Sequence, residues 1–384
     1  MTYFENYIIF AGAEILTFIK PSCRKKILVM AVPSFGISTL SVHAVLKKRV
    51  AEYFKQEGLS PSGNYKLYLK AGILISAYIF FYIHLIFFTP SAWIAIPECI
   101  LWGTVTAFIG FNIMHDGAHG SFSKYPGLNK AAALSLDFLG ASSFMWNMKH
   151  NVIHHAYTNI DDVDDDINAR PFLRLCATQK RYKMHRYQYI YFWFLYSLLY
   201  LFWVFFTDYK KYFRHKIGSV HLKRLSRKDH IVFWGFKLLY IFLYIALPIY
   251  VCGFVPWLTA FLIYAAVAGF LLSIVFQLAH IVDETSFPLP AQPSNELEEE
   301  WALLQLKSTA NFATKNRFIT WCLGGLNFQV EHHLFPKISH IHYPVISNIV
   351  RQTCMNMGLP YIEHYRMYSA IRSHISYLKK LGST

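Results

Sequence analysis

Four stretches of the chain, at about 71–88, 92–114, 231–251 and 256–280, run apolar for roughly the 20 residues of a membrane-crossing helix. They fall in two close pairs, one broken only by the proline-bearing turn TPSA and the other by CGFVP, so each pair reads as a helical hairpin. No Lys or Arg occurs between Lys70 and Lys124 or between Lys237 and Lys307, whereas the flanking segments carry many. Because basic residues favour the cytoplasmic side, both hairpins are expected to enter from the cytoplasm and return to it. Mid-span charge is nearly absent on this reading.

A fifth apolar stretch, YIYFWFLYSLLYLFWVFF at 189–206, is long enough to span by hydropathy alone. Six Tyr and Trp residues, with Arg186 and Lys210 on either side, fit a helix lying at the interface instead. Parity agrees, because a crossing here would put the histidines before it and those near residue 332 on opposite sides of the bilayer. The chain is therefore expected to be an all-α integral membrane protein. Four transmembrane helices form two hairpins, joined by interfacial helices and a cytoplasmic helical cap. Repeats, low-complexity tracts and Pro/Gly/Ser-rich linkers are absent from the sequence. One membrane-embedded domain over 67–350 is expected, after an interfacial or cytoplasmic segment over 1–66 and before a cytoplasmic tail over 351–384.

Composition agrees with a membrane solvent, at 54% hydrophobic and 15% charged over 384 residues. A formal charge of +15 suits anionic lipid headgroups, coenzyme A phosphates or an acidic electron-donor protein. Nucleic acid is not an expected partner, since no matching motif accompanies the charge. The six cysteines, Cys23, Cys99, Cys176, Cys252, Cys322 and Cys354, form no CxxC pair and read as reduced packing residues. Near the amino terminus, YIIFAGAEILTFI is interrupted by Glu14 and followed, not preceded, by Lys20, Arg24, Lys25 and Lys26. That order predicts a retained segment at the membrane surface and not a cleaved signal. The acidic run NELEEE at 295–300 reads as a solvated loop or helix start.

Placement singles out eight of the 18 histidines. His115 and His119 in MHDGAH lie four residues apart, on one side of a helix. In HNVIHH, His150 and His154 share a face, while His155 turns roughly 100° from His154 in an α-helix, so the element can serve two metals. QVEHH repeats the device, with Gln329 and His333 on one face and His332 turned away. His280, in FQLAHIVDE, ends the last apolar stretch as His115 follows the second, which gives it reach from the opposite hairpin. For any one of these the ordinary alternative is a packed or capping histidine. His84 lies inside the first stretch, and His185, His215, His221 and His230 sit among Lys and Arg on an expected lipid-facing surface.

No cysteine accompanies the clusters, which disfavours structural zinc, and calcium or magnesium would want oxygen donors. Eight imidazoles exceed one ion and suit two with open positions, with iron fitting the ligand type and copper or zinc remaining open. Among the carboxylates Asp116, Asp161, Asp162, Asp164, Asp165 and Asp166, the last two are the picks for receiving a ligand's second N–H.

The ordered motifs HDGAH, HNVIHH and QVEHHLFP resemble the membrane fatty acid desaturases, and the Gln opening the last one resembles the front-end or linoleoyl-CoA type. The likeness runs from about residue 45 to RSHISYLKKLG near the carboxyl end. It implies two iron ions held by His115, His119, His150, His154, His155, His280, His332 and His333, with Gln329 where other desaturases have His. It also implies oxygen-dependent formation of a cis double bond in an acyl-CoA or acyl-lipid. The site would face the cytoplasm, at the inner membrane of a bacterium or the endoplasmic reticulum of a eukaryote. No HPGG haem-binding segment is present, so electrons are expected from an external ferredoxin or cytochrome. Regioselection falls to an apolar channel, which Trp146 and Trp321 are placed to line. A hydroxylase with the same irons differs only in the fate of the substrate radical. A metal transporter would need ionisable residues along the spans, and the sequence puts them at span ends.

Overall fold

The computed structural model describes residues 32–36, 41–222 and 224–383. The amino-terminal segment expected at the membrane surface, with Cys23, lies outside them. Four described helices are long and apolar enough to cross a membrane: Tyr65–Phe88, Ala92–His119, Arg227–Cys252 and Phe254–His280. The first and third begin several residues before their apolar stretches, because capping starts a helix in polar sequence, and the second runs on past its stretch to His119. The Asn64 side chain accepts from the Lys66 N–H, and Ser226 with Asp229 forms a reciprocal capping box. The first helix stops at Thr89, which is left-handed ahead of Pro90, and Gly253, at φ +85°, turns the third into the fourth.

The second and fourth helices pack along each other, and Gly103 makes the approach possible. A Cβ there would stand 2.6 Å from the Tyr264 carbonyl oxygen. Outer faces stay apolar and open, with Trp93, Phe88, Leu238 and Val255 exposed, as lipid contact requires. The single interfacial helix expected over 189–206 is instead a bent pair, Lys183–Ser197 and Leu199–Arg214, at 59° to each other. The bend rides over Gly269 of the fourth helix, where a Cβ would meet the Ser197 carbonyl oxygen at 2.6 Å.

Beneath the helix ends a buried core joins Phe111, Phe192, Leu278 and Phe312 to Ala370, Leu378 and Leu381 of the helix Met367–Ser383. The segment read as a tail is thus built into the core. Its His374 is bonded between the Tyr196 hydroxyl at 3.0 Å and the Ile281 carbonyl at 2.6 Å. A second core packs Val42–Gln56 against Trp301–Ser308, Gln329–Leu334 and Tyr343–Met357. Among the described residues, strands are limited to three two-residue pairings, including Asn311–Phe312 beside Glu363–His364. The NELEEE run contributes one such strand and then caps Trp301–Ser308, where Glu300 also accepts from the Val42 N–H at 2.6 Å.

Burial accounts for one charge and corrects one expectation. Lys237, within the third apolar stretch, is buried in the third helix and donates to Asp208 at 3.0 Å and to the Gly140 carbonyl at 2.6 Å. Charge can enter an apolar helix when a carboxylate and carbonyls await it. His185, placed on the lipid-facing surface, is fully buried. It pairs with the Pro171 carbonyl at 2.8 Å and accepts from the Tyr182 N–H at 3.2 Å.

Candidate metal centre

The eight histidines converge from four separate parts of the chain. His115 and His119 end the second long helix and His280 ends the fourth. His150, His154 and His155 come from the turn that follows Ser143–Asn147, and His332 and His333 from Gln329–Leu334. Ligand atoms of His115, His119, His150 and His332 lie within 4.8 Å of one another, and so do those of His154, His280 and His333. A third such set, His155, His332 and His333, joins the two. All but His119 are buried.

Local winding alters the face that spacing predicts. Met148–His154 is a π-helical turn, and the His155 N–H bonds to the His150 carbonyl, five residues back. One more residue per turn brings His155 round toward His150, so their Nε2 atoms stand 3.3 Å apart instead of diverging. Another π turn, Gly110–Met114, immediately precedes His115.

Hydrogen bonds set the tautomers. The Nδ1–H of His154 donates to Asp164 at 2.9 Å, that of His333 to the Gln305 side-chain oxygen at 2.8 Å, and that of His280 to the Ser308 carbonyl at 3.3 Å. His332 Nδ1 meets the Tyr343 hydroxyl at 3.2 Å. Each neutral ring has one N–H, so in the first three Nε2 points inward with a lone pair. The Nε2 atoms of His119, His154, His280, His332 and His333 and the Nδ1 of His155 are buried without a hydrogen-bond partner. Leaving such atoms bare costs about 1–3 kcal/mol each, and a metal ion removes that cost. Burial, reinforced by neighbouring imidazoles, holds His150, His155, His332 and His333 well below the ordinary histidine range, which keeps them neutral and able to ligate. For His154 burial pulls the same way, but the Asp164 carboxylate outweighs it and raises the ring above that range. The donor set therefore fits one or two borderline metal ions.

Of the two carboxylates picked from the sequence, Asp166 lies at the cluster and Asp165 does not. Asp164 accepts the His154 N–H at 2.9 Å, Asp166 stands 3.6 Å from His154, groups with His150 and His154 and is paired with Lys149, and Asp165 faces Lys211 at 3.2 Å. Gln329 is buried within interaction range of His280. Asp116 accepts from the Ser339 hydroxyl at 2.7 Å and lies 3.0 Å from His340 Nδ1, which ties the first histidine pair to the segment after the last. Trp146 stacks on His150 at 4.4 Å, beside the cluster. Trp321 lies further out, 41% exposed and under the Lys70 ammonium. Sequence reasoning missed Gln305, Ser308 and Tyr343, which lie in no motif.

Asp164→Ala is expected to weaken metal binding by about 10–100-fold, because it frees the tautomer of His154. Asp165→Ala should leave it unchanged, its carboxylate facing a lysine. Metal content of the two purified variants by plasma mass spectrometry checks both, and equal losses would show that Asp164 has no special part.

Comparison with known proteins agrees with this geometry. A family model described as fatty acid desaturase matches residues 91–365. An acyl-lipid (8-3)-desaturase of Physcomitrium patens is 36% identical over 347 residues, covering 89% of this chain and 72% of that protein. An sn-1 linoleoyl-lipid 6-desaturase of Arthrospira platensis is 34% identical over 353 residues, covering 91% and 94%, and one from Synechocystis is 34% identical over 348 residues, covering 88% and 94%. With the histidine clusters gathered at the ends of apolar helices and these matches along most of its length, the chain belongs to the fatty acid desaturase family.

Proposed function

We propose that the protein inserts a cis double bond into a fatty acyl chain borne by a membrane lipid, between an existing double bond and the carboxyl end, at a centre of two iron ions. Fatty acyl desaturation, and with it oxidoreductase activity, goes with the family. One observation carries the finer reading: eight imidazoles from distant parts of the chain meet in one buried place, with inward ring nitrogens lacking partners. The lipid-borne, front-end substrate is supported by relatives named acyl-lipid and linoleoyl-lipid desaturases.

His115, His119, His150 and His332 would hold one ion and His154, His280 and His333 the other, with His155 within reach of the second set through His333. Iron bound there supplies the redox chemistry by which molecular oxygen can take hydrogen from an unactivated methylene. The chain's own part is to keep His150, His155, His332 and His333 neutral, fix ring tautomers through Asp164, Gln305 and Ser308, and exclude bulk water by burial. Methylenes along an acyl chain differ little in reactivity, so position must come from where the chain is held.

In this reading the four long helices cross as two hairpins. The bent pair returns to the side it leaves, because the histidines before and after it share one cluster. That side is the cytoplasm by the distribution of Lys and Arg, and an external ferredoxin or cytochrome delivers electrons there. Expression in a host of defined lipid content, with mass spectrometry of the acyl chains, tests the reading. New double bonds on the carboxyl side of existing ones are expected. They should disappear when an iron chelator strips the membranes and return with ferrous iron but not zinc. Hydroxylated chains, or an unchanged profile, would overturn it.

A further inference from the structure

We propose that an open pocket beside the strand pair Asn311–Phe312 and Glu363–His364 binds the phosphate of a membrane glycerophospholipid, holding the headgroup end of the substrate against the element that presents His332 and His333. The inference deepens, and rests on, the reading that a membrane lipid carries the acyl chain.

The pocket, about 530 Å³, is lined by Lys315, Arg317 and Arg366 with Ala313, Asn316 and Tyr365 among their neighbours, and no carboxylate lines it. Among the described residues none of the three cations has an acid within ion-pair distance. Acids on the neighbouring segments are engaged with other partners. Glu363 accepts from the Thr314 hydroxyl at 2.5 Å and pairs with Arg351 at 3.2 Å, and Glu284 takes the Ser373 hydroxyl at 2.7 Å. Lys315 has only the face of Tyr365, 4.5 Å from the ring centre. Three exposed cations that line one pocket without a facing carboxylate favour an anion between them, and two guanidinium groups match phosphate oxygens in charge and planar geometry.

Depth identifies the anion. The short helix Arg317–Cys322 is tied to the first two long helices, since Lys70 donates to the Trp321 carbonyl at 3.0 Å and Asn112 to the Cys322 carbonyl at 2.8 Å. The pocket thus lies level with their polar ends. Around it Phe318, Trp321, Tyr365 and Tyr368 are exposed by 75%, 41%, 51% and 72%, the aromatic rim of a membrane interface. A phosphate at that level belongs to a lipid headgroup, and the volume admits its glycerol and alcohol substituents as well.

The pocket is also joined to the histidines. The Ala313 N–H bonds to the His364 carbonyl at 2.8 Å. Two residues earlier, the Asn311 side chain donates to Glu331 at 2.8 Å and accepts from the Val330 N–H at 2.9 Å. A headgroup anchored here is held at a set distance from His332 and His333. Position along the acyl chain is then counted from the carboxyl end.

The test uses the purified full chain in an uncharged detergent, titrated calorimetrically with dihexanoyl phosphatidylglycerol, inorganic phosphate or coenzyme A. The lipid is expected to bind at least about tenfold more tightly than either soluble anion, and Arg317→Gln with Arg366→Gln to weaken it by about tenfold or more. Arg317→Lys with Arg366→Lys keeps the charge but not the planar fork, and should lose clearly less affinity than the glutamine pair. Undiminished binding in the glutamine pair, an equal loss in the lysine pair, or tighter binding of coenzyme A or phosphate would each overturn the proposal. Binding needs no turnover, so a protein that makes no double bonds yet loses the lipid in the glutamine pair would sink the desaturase reading and leave the site standing.

Discussion

His333→Ala is expected to lower product formation at least about 100-fold, to the limit of detection, while the protein still inserts into membranes. The change removes an inward Nε2 and leaves the Gln305 oxygen with the Thr158 hydroxyl alone, in a place where His154, His155 and His280 have rings within 4.4–4.9 Å of His333. Loss of a ligand goes beyond the roughly 10–100-fold that follows from altering a ligand's hydrogen-bond partner. Insertion is unaffected because Gln329–Leu334 is not one of the long apolar helices. Acyl analysis by gas chromatography and mass spectrometry, with metal content and membrane fractionation of the same preparation, checks all three points. Product at the unaltered level would remove His333 from the centre, and His154→Ala is expected to behave alike.

The second large effect lies away from the metal. Lys237→Met leaves Asp208, buried beside the third helix, with the Ser142 N–H at 2.7 Å and the Trp203 N–H at 3.1 Å but no cation, and it strips the donor from the Gly140 and Val204 carbonyls. Breaking a buried pair from one side typically costs about 3–5 kcal/mol, since the remaining charge stays desolvated. Lower thermal stability in detergent and a much reduced folded yield are expected. Lys237→Met with Asp208→Asn should recover much of both, because the amide oxygen still accepts from Ser142 and carries no charge. A single variant as stable as the parent would mean that the pair contributes no stability.

What could be read from the chain alone was what short-range periodicity encodes. Apolar runs marked the four long helices because lipid demands them, and histidines adjacent or four to five residues apart marked the ligand-bearing turns because helical winding groups them. Asp164 could not be told from Asp165 by spacing. The choice depends on Asn159, left-handed at φ +61°, whose N–H meets the Asp164 carboxylate at 2.9 Å and folds it under His154. Gln305 is remote in sequence from every motif, and only the packing of Trp301–Ser308 against Gln329–Leu334 brings it to His333. Lys237 stands inside the third apolar stretch, but its partner Asp208 could not be read from the chain, because it comes from a helix whose bend apolar sequence does not announce.

The wide turn at Met148–His154 gives the centre an uneven tolerance to mutation. Five residues fill this turn where four fill an α turn, so His155 faces His150 only while the wide winding lasts. Losing one residue from the turn would let ordinary α winding keep the two rings on one face, because the fourth residue on then closes the turn. Tightening the winding with every residue kept would instead carry His155 about 100° around the axis and misdirect a ligand that its own sequence still spells correctly.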